Sequence, residues 1–173
     1  MSTKTNWVID HAHSEIAFKV KHMMISTVTG FFEDFTASAE TEGDNFDNGN
    51  FTFSAKTASI ITKNNDRDAH LKSDDFFNSE AFPNMTFVSK SFNGEELVGD
   101  LTIRDVTKEI SLTADFNGIA VDPYGQTKAG FEISGVINRK DFNLTWSAVT
   151  EAGSIVVSDK VKLVVDAQFI KQN

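Results

Sequence analysis

Three short stretches of this chain place side chains at spacings that could do chemistry. His11 and His13 stand two apart, which on a strand turns both to one side. With Glu15 they make a two-histidine, one-carboxylate set of the kind that holds a transition metal. His70 is followed by Asp74 and Asp75, a grouping suited to general acid–base work. Arg139 and Asp141 offer a guanidinium and a carboxylate at the end of an apolar alternation. Each stretch also has a plainer reading. A metal site wants a further ligand motif that the chain lacks, so His13 and Ser14 read better as structural or mouth-lining residues. Without a nucleophile or substrate geometry, His70, Asp74 and Asp75 read better as a helix C-terminus holding Phe76 and Phe77 against the fold. Arg139 and Asp141 most simply pair with each other. Arg139 is also in phase with Phe131, Ile133 and Ile137, so an interior guanidinium there would need that partner or the polar head of a ligand.

Composition narrows the field further. There is no GxSxG elbow, no Walker loop and no GxGxxG after a strand. Cysteine is absent, which removes thiol catalysis, disulfides and zinc–thiolate sites together and leaves the compartment open. The formal net charge of −9, with no Lys/Arg run longer than two, argues against nucleic acid and anionic lipid surfaces as partners, although a local basic spot could still take a pyrophosphate. No apolar run approaches the roughly 20 residues of a membrane helix, so no stable membrane insertion is expected. The first residues lack the apolar core of a secretory signal. The expected location is cytoplasmic if Met1 is the native start, and periplasmic if a signal has been removed. No cofactor or metal is expected.

The elements that must position these residues are strands. From Asp105 to Phe116 apolar and polar side chains alternate, with Ile110, Leu112, Ala114 and Phe116 on one face. The same alternation marks Ile16–Phe18–Val20, Gly30 through Phe35 to Ala39, Phe51–Phe53–Ala55, Met85 to Phe92, Leu97 to Ile103, Phe131 to Ile137 and Val161 to Phe169. Asn48–Gly49, Asn93–Gly94, Arg104 to Thr107 and Asp122 to Gly125 carry turn chemistry. The pattern breaks between Asn64 and Phe77, where Asn65 or Asp66 would cap one short helix near residues 65–76. The chain therefore predicts a single all-β domain, residues 1–173 with a core over 7–170. About eight antiparallel strands form an up-and-down barrel, with a two-sheet sandwich as the rival.

What fills the barrel is the functional question. Sixteen Phe against two Trp and one Tyr give bulk without polar atoms, so the interior should be wide and dry. The candidate ligand-facing side chains are Phe18 and Val20 on the first strand, Phe31 and Phe35 on the second, Phe53 on the third and Phe76 beside the helix. Phe87, Leu101, Ile110, Leu112 and Phe116 follow on the middle strands. Phe131, Ile133, Arg139 and Trp146 complete the set. Trp7 and Trp146 suit the closing of the barrel's ends by packing.

An ordered series of motifs resembles the YceI-like family of lipid/polyisoprenoid-binding domains, which have a lipocalin-like barrel. It begins with Trp7-Val8-Ile9-Asp10, His13-Ser14-Glu15-Ile16, Phe18 to His22 and Gly30-Phe31-Phe32 with Phe35. It continues through Ala58-Ser59-Ile60, Thr62 and Asp68 to His70-Leu71-Lys72-Ser73-Asp74-Asp75-Phe76-Phe77, then Phe82-Pro83 and Phe87. Gly99 to Ile103 with Val106-Thr107, and Arg139-Lys140-Asp141-Phe142, close it. Two positions depart from the family's usual glycine, Asp105 and Asn143, both residue types that tolerate left-handed backbone. The resemblance implies an extended barrel, commonly a homodimer, whose cavity takes a long-chain isoprenoid-like lipid of polyprenyl or quinone type. The first reading is therefore a non-catalytic carrier or store, with Arg139 or the His13 region as polar anchor. An enzyme acting on a lipophilic small molecule through His70/Asp75 or a His11/His13 metal is the alternative, and a closed module acting through its dimer surface is a weaker third.

Overall fold

The alternating segments hydrogen-bond into one antiparallel sheet in this computed structural model, which describes residues 4–147 and 156–172. The strands are β1 (Lys4–Ile9), β2 (Glu15–His22), β3 (Ser26–Phe32), β4 (Phe35–Glu42), β5 (Asn45–Lys56) and β6 (Ile60–Ile61). After helix α1 (Asn65–Lys72) come β7 (Asn84–Phe92), β8 (Glu96–Ile103), β9 (Val106–Val121), β10 (Thr127–Asn138) and β11 (Val157–Lys171). Eight of them close a ring in the order β1-β4-β5-β7-β8-β9-β10-β11, with β11 returning to β1. The closed antiparallel barrel with one short helix is thus the architecture, and closure leaves these eight without an open edge.

The other three strands open one end of the barrel. β11 pairs with β1 through Phe169, Ile170 and Lys171, then with β2 from Asp166 down to Val157. β2 and β3 form a hairpin beside it, and β6 adds two residues at Phe31 and Phe32. Residues 26–30 of β3 therefore have β2 as their one strand partner among the described residues.

Burial follows the pleat: in β4, Phe35, Ala37, Ala39 and Thr41 are buried and the residues between them are exposed. At the end where β1 closes the ring, aromatic rings form a plug. Phe51 lies 5.5 Å from Phe92, 5.6 Å from Phe131 and 6.1 Å from Phe169, all edge-on, and Phe46 sits 4.8 Å from Trp7. The Trp7 indole is fully buried and donates to Thr41 Oγ1 at 2.8 Å; that hydroxyl donates onward to the Gly43 carbonyl at 2.7 Å. Its one polar atom is thereby satisfied.

Four local expectations are corrected. Asn48–Gly49 is not the hairpin turn; the turn lies at Gly43–Asp44, and Asn48, at φ 63°, kinks the interior of β5. A Cβ on Gly49 would stand 2.9 Å from the Phe46 carbonyl oxygen, so the glycine serves close backbone approach there. The helix is capped one residue earlier than expected, by Asn64, whose Oδ1 accepts from the Arg67 amide at 2.9 Å. The single strand expected from Gly30 to Ala39 is two, β3 and β4, broken at Glu33–Asp34 where the chain changes partner from β2 to β1. His11 and His13 lie in a one-turn 3-10 segment, not on a strand, so their two-residue spacing does not bring them to one side.

Candidate ligand cavity

Midway along the barrel the interior side chains part around a cavity of about 80 Å³. Seven of the expected residues line it: Phe18, Phe53, Phe87, Leu101, Ile110, Leu112 and Ile133. Ile16, Phe32, Ala55, Met85, Leu97, Leu163 and Val165 join them, and polar atoms enter only through Ser54, Thr86 and Ser134. No titratable side chain lines the wall. Such a wall offers van der Waals contact and exclusion of water, with no titratable acid or base beside its three hydroxyl-bearing residues.

The space exists because three interior positions are glycine. Gly30 sits opposite Phe18 on β2, Gly99 beside Phe87 on β7, and Gly135 beside Leu112 on β9. A Cβ at Gly30 would overlap the Phe18 ring, and one at Gly135 would overlap the end of Leu112. Each large side chain therefore lies flat against the wall over a glycine instead of crossing the lumen.

The remaining candidates fall elsewhere. Phe31 points away from the cavity and Phe32 takes its place. The three-residue step from Phe32 through Glu33 and Asp34 to Phe35 reverses the phase that a continuous strand would keep. Phe35 is buried against the His11 ring at 5.2 Å, and His11 Nε2 hydrogen-bonds the Phe35 carbonyl at 2.6 Å. Phe131 belongs to the plug, and Phe116, 43% exposed, caps it from outside with its ring 5.1 Å from Phe131. Val20, half-buried, is one interior step beyond Phe18, toward the open end.

Phe76 and Trp146 close that open end. Their rings are 5.5 Å apart, and the His70 ring stands edge-on to both, at 5.0 and 4.9 Å. His70 Nε2 is 2.8 Å from Asp75 Oδ2, so the pair exists, but it braces aromatic rings rather than facing the cavity. Two arginines tie the closing segments down. Arg104, read from the sequence only as a turn residue, donates to the carbonyls of Asp74 at 2.9 Å and Phe76 at 3.0 Å, and pairs with the Asp74 carboxylate at 3.0 Å. Arg139, only 3% exposed, donates to the carbonyls of Leu144 (2.6 Å), Trp146 (2.7 Å), Ser158 (2.9 Å) and Val157 (3.3 Å). Burial pulls its pKa down from the ordinary value, opposed by Asp159 at 3.8 Å. The expected Arg139–Asp141 pair does not form: Asp141 pairs with Lys108 at 2.8 Å. With those carbonyls engaged, Arg139 is a staple across the segment before β11 and does not line the cavity.

The His13 region is also removed from the cavity. Asp10 accepts from the Ala12 amide at 3.1 Å, from His13 Nδ1 at 2.8 Å and from Lys128 Nζ at 2.7 Å, on the outer face of the barrel. Burial alone would raise the Asp10 pKa; the hydrogen bonds from Lys128, His13 and Ala12 outweigh it and hold the carboxyl at about 2. Among the described residues no three His, Asp or Glu side chains gather as a metal site.

A closed β-barrel around a dry, uncharged cavity, plugged by aromatics at one end and capped by two stapled segments at the other, has the form of a binding barrel. The YceI-like domain model matches residues 7–169, and the chain belongs to the YceI-like family. It is 37% identical over 166 residues to a UPF0312 protein of Staphylococcus aureus, covering 95% of this chain and 97% of that one. A UPF0312 protein of Staphylococcus epidermidis is 38% identical over 170 residues, covering 98% and 99%. The crystal structure of the Campylobacter jejuni YCEI protein superposes with a TM-score of 0.74 at 33% identity, covering 88% of this chain and 90% of that one. A polyisoprenoid binding domain from Saccharophagus degradans shares the fold, with a TM-score of 0.71 at 15% identity over 96% and 98% of the two chains.

Proposed function

We propose that this protein binds a long-chain isoprenoid-like lipid, of polyprenyl or quinone type, in the barrel interior, and serves its transport, storage or sequestration without chemistry. The observation that carries this reading is the cavity wall: apolar side chains lie flat over Gly30, Gly99 and Gly135, with no titratable group among them. A polar ligand finds few partners there, whereas a flexible apolar tail gains roughly 25 cal/mol for each Å² withdrawn from water. The neighbour described as a polyisoprenoid binding domain supports the ligand class.

At about 80 Å³ the cavity is well below the roughly 300–1,000 Å³ of ordinary ligand sites, so a long tail needs more room. The aromatic plug is built on ring strands β5, β7, β10 and β11, while the Phe76–Trp146–His70 cap joins α1 and the turn after it to the non-strand segment at Trp146. The tail therefore enters at the cap and displaces it. Native mass spectrometry followed by organic extraction tests the reading: protein from its native host should release an isoprenoid or quinone mass. Lipid-free protein that also refuses added polyprenol would overturn it.

A further inference from the structure

We infer that the β2–β3 hairpin tip and the lysine face beside it dock the open end of the barrel onto an anionic lipid bilayer. The inference rests on the carrier reading and says where the carrier would exchange its lipid.

The tip is Met23-Met24-Ile25, between His22 and Ser26. Met23 and Met24 both take left-handed backbone, at φ 52° and 59°, where Gly, Asn or Asp is the ordinary choice. The turn itself therefore gains nothing from these residue types. Met24 is 60% and Ile25 81% exposed, so packing does not explain them either. Strand β2 connects the tip directly to the cavity, since Phe18 and Ile16 line the wall five and seven residues before it.

On the face made by β2, β11 and β10 the charge changes sign along the barrel. Toward the plug, Glu15, Asp166 and Glu132 lie side by side across β2, β11 and β10. Toward the tip, Lys19 is opposite Lys162, with Lys21 and Lys160 one outward step further on. All four lysines are exposed, and none forms an ion pair among the described residues; the nearby Asp159 pairs with Lys140 and Arg139. The alternation of strand side chains separates these lysines in sequence and collects them in space, so no basic run announces them. Like charges placed opposite each other weaken a sheet, and an anionic surface reverses that penalty. The barrel's other exposed apolar tip, Val121 and Tyr124 on the β9–β10 hairpin, has exposed Asp115 on its own strand, and its nearby Lys128 is already paired with Asp10 and Asp122, so among the described residues no lysine is left there to meet an anionic surface. Charge thus selects one tip of the two.

Sedimentation with phosphatidylcholine vesicles, with and without about a third phosphatidylglycerol, tests the assignment. The protein should bind only the mixed vesicles. Met24→Ser/Ile25→Ser should weaken binding roughly tenfold or more, and Lys19→Gln/Lys162→Gln should weaken it and flatten its salt dependence. Val121→Ser/Tyr124→Ser should bind as the wild type does, and circular dichroism should show all variants folded. Failure of the wild type to bind, or retention of full binding by either the tip variant or the lysine variant, would overturn the assignment. Uptake of polyprenol delivered in detergent reports on the cavity alone, and the tip variants should keep it.

Discussion

Glycine, more than phenylalanine, decides whether this barrel is hollow. Gly30 and Gly135 each lie beneath the far end of a flexible side chain, Phe18 and Leu112. Alanine at either position would tip that side chain into the lumen at the modest cost of overpacking, about 1–3 kcal/mol. Gly99 differs, because a Cβ there would stand 2.5 Å from the Val88 carbonyl and 2.8 Å from the Ser89 Cα, backbone that cannot rotate away. Gly30→Ala and Gly135→Ala should therefore lose polyprenol uptake while still unfolding cooperatively, and Gly99→Ala should fall by about 3 kcal/mol or more in urea denaturation. Uptake by the first two at the wild-type level would show that the lumen is not set this way. Little of this was legible in the sequence. The bulky lining could be counted along the alternation, and Gly99 and Gly135 fell in phase with it, but which large side chain lies over each glycine is set by the neighbouring strand and its register. Arg139 shows the same limit: its phase was right, but its partners are carbonyls, which no side-chain pattern displays. Asn143 was better marked. It does take left-handed backbone at φ 61°, and its amide donates to Asp105 at 3.3 Å, joining the two positions that depart from the family's glycines.

At the scale of elements, alternation identified seven of the ring's eight strands; it missed β1, too short to show a pattern, counted β2 in its place, and missed the chain breaks. The step between β1 and β2 is the most consequential, because it lets β11 exchange one partner for the other. Asp10 makes that step: its carboxylate caps the turn at His11–His13 and holds Lys128 on β10, while its amide donates to the Gln168 carbonyl on β11 at 2.8 Å. Only the local caps of such a device lie close in sequence; the lysine is over a hundred residues away. Its folded pKa of about 2 lies below the ordinary 3.8. The stabilisation is thus complete above about pH 4 and is lost as pH falls through about 2. After allowance for solvent screening it amounts to about 1 kcal/mol. Urea denaturation stepped between those limits should show this loss, and Asp10→Asn should flatten it; an unchanged acid limb in the variant would mean the step is held by other contacts.

For the whole molecule, the asymmetry between ends sets what the barrel can distinguish. The plug is a set of interlocked rings around Phe51 and Phe131, the cap is two loops held by Arg104 and Arg139, and the wall between them carries no charge. A tail entering at the cap can lengthen its contact until it meets the plug, while its head stays near the mouth, outside the uncharged section. Recognition should therefore depend on the tail. Across prenols of increasing length and one headgroup, affinity should rise by roughly tenfold per added prenyl unit, through burial of its carbons, and then level off when the lumen is full. At one tail length, exchange of an alcohol head for a quinone should change affinity much less. Competition against a fluorescent prenol measures both series on the same protein. A steep dependence on the head with a flat dependence on the tail would locate the selective contacts at the mouth and contradict a wall-driven barrel.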